Sequence, residues 1–340
     1  MDPRHTPSPA SPLVQPVSVT PPSAARVWWP WLKRGATALF FLLLAGLLVS
    51  QARGIEWNQV VISLQHYPLA VVWGAAALAA VSFTLYSCFD LLGRRYTGHA
   101  LGAPTVMTVT FISYVFNLNF GSLVGGVGLR FRLYSRLGLK TGAIARIMSL
   151  SMLSNWMGYL LLAGLVFSLQ PPTLPAGWKL DAIYLRVIGA GLLVLSSAYL
   201  AVCALSRQRT LQLRGHQIEL PSLRLASLQL LMGASNWLVM SCIIFVLLQQ
   251  RIEFPAVVSV LLLAAIAGVI THIPAGLGVL EAVFVALLSH QMPQHTILAA
   301  LVAYRAIYYL APLCIAVVIY LVLESQGKKL DTARRATPDP

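Results

Sequence analysis

The chain has 340 residues, of which 58% are apolar and only 10% charged, against roughly 45–50% and about 25% in a soluble domain. Its net charge of +14 comes from 24 Lys and Arg against 10 Asp and Glu. That balance excludes a cytosolic globule, a disordered chain and a nucleic-acid binder, because in a polytopic membrane protein Lys and Arg collect in cytoplasmic loops.

At about 20 residues per crossing, the length admits about eight spans. Residues 1–26 form a cytoplasmic tail, with Pro3, Pro7, Pro9, Pro12, Pro16, Pro21 and Pro22 among Ser, Thr and Val. Such a stretch buries too little to fold. Arg26, Lys33 and Arg34 flank the start of the first span, near 31–49. With the apolar run so far from residue 1, it reads as an uncleaved anchor with a cytoplasmic N-terminus. Further apolar segments fall near 69–92, 105–127, 143–169, 182–205, 225–248, 257–270, 277–288 and 297–323. Residues 27–325 thus form one membrane domain, and 326–340 a short basic tail.

Arg94 and Arg95 precede the 105–127 segment, while Arg130, Arg132, Arg136, Lys140 and Arg146 follow it. A single crossing would put one cluster outside. The positive-inside bias therefore predicts a re-entrant segment or, less simply, two very short crossings. With re-entry, the basic residues of 206–224 and of 328–335 also fall inside, and both termini are cytoplasmic. The expected fold is an all-α polytopic bundle with about seven to eight transmembrane helices plus broken, re-entrant segments.

Two segments interrupt the apolar pattern. The first carries Asn117, Asn119, Gly121, Gly125, Gly126, Gly128 and Arg130; the second carries His272, Pro274, Gly276, Gly278 and Glu281. Pro274 stops the preceding helix, and the glycines permit a turn with bare backbone before a new helix carries Glu281. Either the two segments line a polar path, or their small residues serve close helix packing. Asp90, Glu281 and Arg305 are charges inside apolar runs, each expensive without a partner. Asp90 lies four residues before Arg94, which suits a local ion pair at the helix end. Glu281 and Arg305 are each 12 residues from a turn centred on Pro293. At 1.5 Å per residue that is about 18 Å along each helix, a common depth that allows pairing. Such a pair could be structural, or Arg305 could engage a lipid phosphate while Glu281 holds it.

Ser154-Asn155-Trp156 recurs 81 positions later as Ser235-Asn236-Trp237, a thin internal echo. Asn155 and Asn236 read equally as interhelical glue and as pathway groups. There is no zinc, nucleophile-elbow, phosphate-loop or Cys-x-x-Cys motif, and no cofactor or metal is expected. The cysteines Cys88, Cys203, Cys242 and Cys314 lie in apolar runs, against a disulfide framework.

The stretches 117–139 (NLNFGSLVGGVGLRFRLYSRLGL) and 270–287 (ITHIPAGLGVLEAVFVAL), with Ser154-Asn-Trp156 and Ala303-Tyr-Arg305, resemble the family that shares the transmembrane region of lysylphosphatidylglycerol synthase. The resemblance covers about residues 27–330. It implies a bacterial inner-membrane bundle with re-entrant helices that handles phospholipid. In the two-domain members this region flips lysyl-phosphatidylglycerol and a separate cytosolic domain makes it; the present sequence shows no such synthase domain. The family's Pro-Gly-Gly-x-Gly-x-x-Glu motif appears with Ala275 in place of one glycine.

Together these features lead us to expect a non-enzymatic protein that binds and flips an anionic phospholipid or lipid-linked molecule. Its expected site is Asn117, Asn119, Gly125, Gly126, Arg130, Asn155, Asn236, Pro274, Gly276, Gly278, Glu281 and Arg305. Two other classes stay open: an ion- or proton-coupled transporter of a small solute titrating at Glu281, and a membrane enzyme acting on lipid head groups.

Overall fold

The computed structural model describes residues 67–336, apart from 173–181, 207–209, 214–215, 272 and 274–275, with a few isolated residues between 58 and 65. The tail and the expected span at 31–49 lie outside the described residues. The helices are α1 (Leu69–Thr97), α2 (Ala103–Phe120), α3 (Arg130–Arg136), α4 (Thr141–Leu169), α5 (Ala182–Leu205), α6 (Leu223–Leu247), α7 (Phe254–Thr271), α8 (Val279–Leu288), α9 (Gln294–Arg305) and α10 (Ala311–Ala336). Two wide, π-type helical stretches, Ser122–Leu129 and Ala306–Leu310, join α2 to α3 and α9 to α10. Among the described residues six helices are long and apolar enough to cross a membrane: α1, α4, α5, α6, α7 and the continuous Gln294–Ser325 stretch. The protein is an all-α polytopic membrane protein. Among the described residues the strands are a small antiparallel hairpin, Thr210–Leu213 with His216–Glu219.

Local chemistry sets the helix ends. Gly98, in the left-handed region at φ 66°, closes α1 by donating its N–H to the Arg94 carbonyl, and Arg94 and Arg95 lie in that last turn, where the helix dipole favours cations. Ser222 caps α6 by accepting the Leu225 N–H at 3.3 Å.

Cross-helix contacts fix the directions. α6 runs antiparallel to α1, since Ser82 meets Asn236 while Tyr67 meets the Leu247 carbonyl. α4 and α6 run parallel and cross at Gly158 and Gly233, where a Cβ on either glycine would overlap the other helix's backbone. The segment 105–127 is not one helix. At Gly121 (φ 87°, ψ 165°) the chain leaves α2 and doubles back, with Gly125 set directly against the Phe116–Asn117 backbone. By Tyr134 of α3 it has returned to the level of Thr110, two turns into α2, because both bond the same oxygen of Asp90. This near hairpin therefore enters and leaves at one end of the bundle. The last helix reaches that same end: Glu324 pairs with Arg132 and Arg136.

At the opposite end α7 runs inward as far as Thr271, and the chain returns as α8 from Val279. The chain then turns at Pro293 into α9. The molecule thus has two broken elements, one from each end. Between them lies an aromatic core in which Tyr86 stacks on Tyr114 at 3.4 Å and Tyr304 on Tyr308 at 5.3 Å.

Candidate functional site

The near hairpin delivers one charged centre. Asp90 is fully buried. Its Oδ2 accepts hydroxyl bonds from Thr110 (2.8 Å) and Tyr134 (2.7 Å), and its Oδ1 lies 3.4 Å from Arg130 Nη2. The local pair with Arg94 suggested by the sequence is thus corrected: the partner comes from 40 residues on, because the hairpin's return brings Arg130 level with the end of α1. Arg130 itself is 4% exposed, so it sits within the bundle rather than at an open mouth. The Tyr86 hydroxyl is a close polar neighbour of both Arg130 and the buried Ser151, while Arg130 Nε, Nη2 and Asp90 Oδ1 make no hydrogen bond of normal geometry. A guanidinium has five donors, and burying charged donors unspent costs free energy. Close by, in the α1–α2 connection, His99 accepts the Leu101 N–H at Nδ1. Burial, helped by Arg94, holds its imidazole below the usual value.

The second centre belongs to the far element. Gly276 (φ 55°) and Gly278 (φ 77°) take left-handed conformations, which a side chain would strain, and set Glu281 in the first turn of α8. Arg305 donates Nε to Glu281 Oε1 and Nη2 to Oε2 at 3.0 Å, a fork-on-carboxylate pairing. Nη2 also donates to the Gly276 carbonyl at 3.0 Å, and the guanidinium lies 5.3 Å over the Tyr309 ring. The pairing expected from equal depth is present. The side chains of Arg305 and Glu281 remain 15% and 20% exposed.

The two elements meet on the last helix. Asn119, at the tip of the near hairpin, donates Nδ2 to Val115 O (2.9 Å) and to Tyr309 O (3.3 Å), one turn beyond Arg305. Asn117 lies under Gly126, whose absent Cβ would sit 2.8 Å from Asn117 Oδ1. Asn236 is buried and accepts from Ser82 (2.8 Å), which in turn bonds the Tyr308 hydroxyl (2.7 Å). The two Ser-Asn-Trp sites pack together: Trp237 donates its indole N–H to the Asn155 carbonyl at 3.3 Å. Pro274 lies outside the described residues. An apolar groove of about 710 Å³ runs between α1, α2 and the last helix. Ser87 and Thr108 line one part of it, beside the Asp90 level, and Ala306 and Ile307, directly after Arg305, line another.

Sequence reasoning missed Asp90, Thr110, Tyr134 and Tyr309 as site members. A signal for Asp90 did exist: a hairpin turning at Gly121 must carry Arg130 back beside residues near 112, and so beside the end of α1.

Residues 35–316 match the family model described as the lysylphosphatidylglycerol synthase TM region. The chain belongs to this family. It is 46% identical over 309 residues to the inner membrane protein YbhN of Escherichia coli (strain K12), covering 91% of this chain and 97% of that protein. It is 30% identical over 279 residues to the uncharacterized protein slr0712 of a Synechocystis strain, covering 81% and 86% respectively. A phosphatidylglycerol lysyltransferase of Staphylococcus haemolyticus is 24% identical over 301 residues. These are 85% of this chain but only 34% of that relative, so the likeness extends over about a third of the larger protein. The sequence-stretch resemblance and the family membership agree, and the closely similar YbhN is an inner-membrane protein by name.

Proposed function

We propose that the protein binds an anionic phospholipid, or a lipid-linked anion, and carries it across the inner membrane without chemistry of its own. One observation carries this reading. A lipid needs a cationic seat for its phosphate and, directly beside it, an apolar seat for its chains. Here the groove between α1, α2 and the last helix is lined by Ser87, three residues before Asp90, and by Ala306, next to Arg305, while the charged side chains themselves are not among its lining residues. A phosphate would meet Arg130 Nε and Nη2, which make no hydrogen bond of normal geometry, and would exchange with Glu281 or the Gly276 carbonyl at Arg305, whose side chain is 15% exposed. Asn117, Asn119 and the Gly125–Gly126 pair would line the passage between them, with Asn155 and Asn236 on the far side of the core.

A head group moving from one arginine to the other would stay partnered in a region where a bare charge costs about 2.5–3.5 kcal/mol on insertion scales. The solute-transporter reading, with Glu281 as the free titrating group, is less well supported because both its oxygens are engaged by Arg305. The relative's lysyltransferase name supports a phospholipid as cargo and says nothing of transfer by this chain.

The test is the lipid that stays with the protein purified in mild detergent, identified by mass spectrometry. Enrichment of anionic phospholipid over the host membrane, lost in Arg305→Gln and Arg130→Gln, is the expected result. Bound lipid of bulk composition in all three proteins would refute the reading. A new lipid species formed on overexpression would favour the enzyme instead.

A further inference from the structure

Tyr309 touches both broken elements. Its carbonyl accepts the Asn119 side chain from the near hairpin, and its ring lies under the guanidinium by which Arg305 holds Glu281 and the Gly276 carbonyl. It sits in the wide Ala306–Leu310 turn, where Ala311 donates to Ala306 five residues back rather than four. A wide turn stores one extra residue, and such bulges recur at functional positions in helices. Passing that residue along the helix would rotate the side chains it passes by about 100°, the angular step of an α-helix.

Two discrete registers are what coupling between distant sites requires. The present register is held by the buried Tyr308–Ser82–Asn236 chain on one face and by Tyr309 on the other.

We infer that Tyr309 is a positioning residue that couples the two elements, so that release of the far element at Glu281–Arg305 loosens the near hairpin, and the reverse. Coupling of this kind is reciprocal by thermodynamic necessity. It depends on the chain's own contacts and not on any cargo, so it stands or falls separately from the lipid reading.

Hydrogen–deuterium exchange on the full chain in phosphatidylcholine nanodiscs tests it. Glu281→Gln is expected to speed exchange over 121–129 by about fivefold or more. Asn119→Ala is expected to do the same over 276–282. In the Glu281→Gln protein, adding Tyr309→Leu or Asn119→Ala should abolish the further effect on the opposite element, because each cuts one of the two contacts. Tyr309→Phe should behave as wild type, since neither contact uses the phenol hydroxyl; it also serves as the folded control should Tyr309→Leu fail to fold. An effect of Glu281→Gln confined to 276–288, or one that persists unchanged in the Asn119→Ala background, would overturn the inference.

Discussion

Each of the two pairs joins an arginine to a carboxylate, Asp90 in one and Glu281 in the other, and they differ in how completely each is satisfied. Arg305 spends its donors on both Glu281 oxygens and the Gly276 carbonyl, has an aromatic face beneath it, and stays partly open. Arg130 is sealed in, faces Asp90 at 3.4 Å without a hydrogen bond of normal geometry, has the Tyr86 hydroxyl beside it, and shares Asp90 with two further hydroxyls. A buried pair is expensive to desolvate, so its presence is weak evidence for stability as such, while breaking it is costly. The near pair is thus a sealed contact that is costly to break, and the far pair a docked contact with partial access to its surroundings.

The largest effect should come from unmatching the sealed pair. Asp90→Asn leaves a buried guanidinium without a counter-charge and should lower stability by about 3–5 kcal/mol, read by thermal unfolding in detergent. Glu281→Gln should cost clearly less, because Arg305 keeps the Gly276 carbonyl, the ring and partial access to its surroundings. Equal losses from the two changes would erase the contrast. Next comes the hairpin's close approach. A methyl at Gly125 runs into the Phe116 and Asn117 backbone, which cannot give way, so Gly125→Ala should cost about 1–3 kcal/mol. At Gly126 the first neighbour is the end of the Asn117 side chain, and Gly126→Ala should be milder because that amide can rotate away.

Tyr134→Phe removes one hydroxyl bond to a buried carboxylate and should cost about 1.5 kcal/mol. The smallest effect belongs to Glu324. Arg132 and Arg136, which pair with it, are about half exposed, so Glu324→Gln should cost under about 1 kcal/mol, less still at high salt.

Much of this was written in the chain, for reasons that differ element by element. Long apolar runs specify crossing helices, and the basic clusters around 105–127 specify a return, because placing either outside opposes the positive-inside bias. Glu281 and Arg305 were legible as partners since equal distance from a turn implies equal depth. Asp90 was misassigned because an arginine four residues on offers a local partner, whereas the true one arrives only after the chain folds back at Gly121. The wide turns at Ser122–Leu129 and Ala306–Leu310 left no trace, because one extra residue in a uniformly apolar helix changes no pattern. Tyr309 therefore could not be singled out among neighbouring tyrosines. The 210–219 hairpin was equally silent, its four-residue strands being too short to alternate convincingly.

The proposed role of the two arginine centres, joined by an apolar groove, is to move a phospholipid head group. Its most direct measurement is dithionite quenching of fluorescent, NBD-labelled phosphatidylglycerol in proteoliposomes, with and without an imposed membrane potential. Wild-type protein is expected to expose inner-leaflet label well beyond protein-free vesicles, under at least one of the two conditions. The double variant Glu281→Gln/Arg305→Gln, shown to be folded by thermal unfolding, is expected to fall back to the protein-free level. Wild-type vesicles indistinguishable from protein-free ones under both conditions, or a double variant as active as wild type, would contradict it.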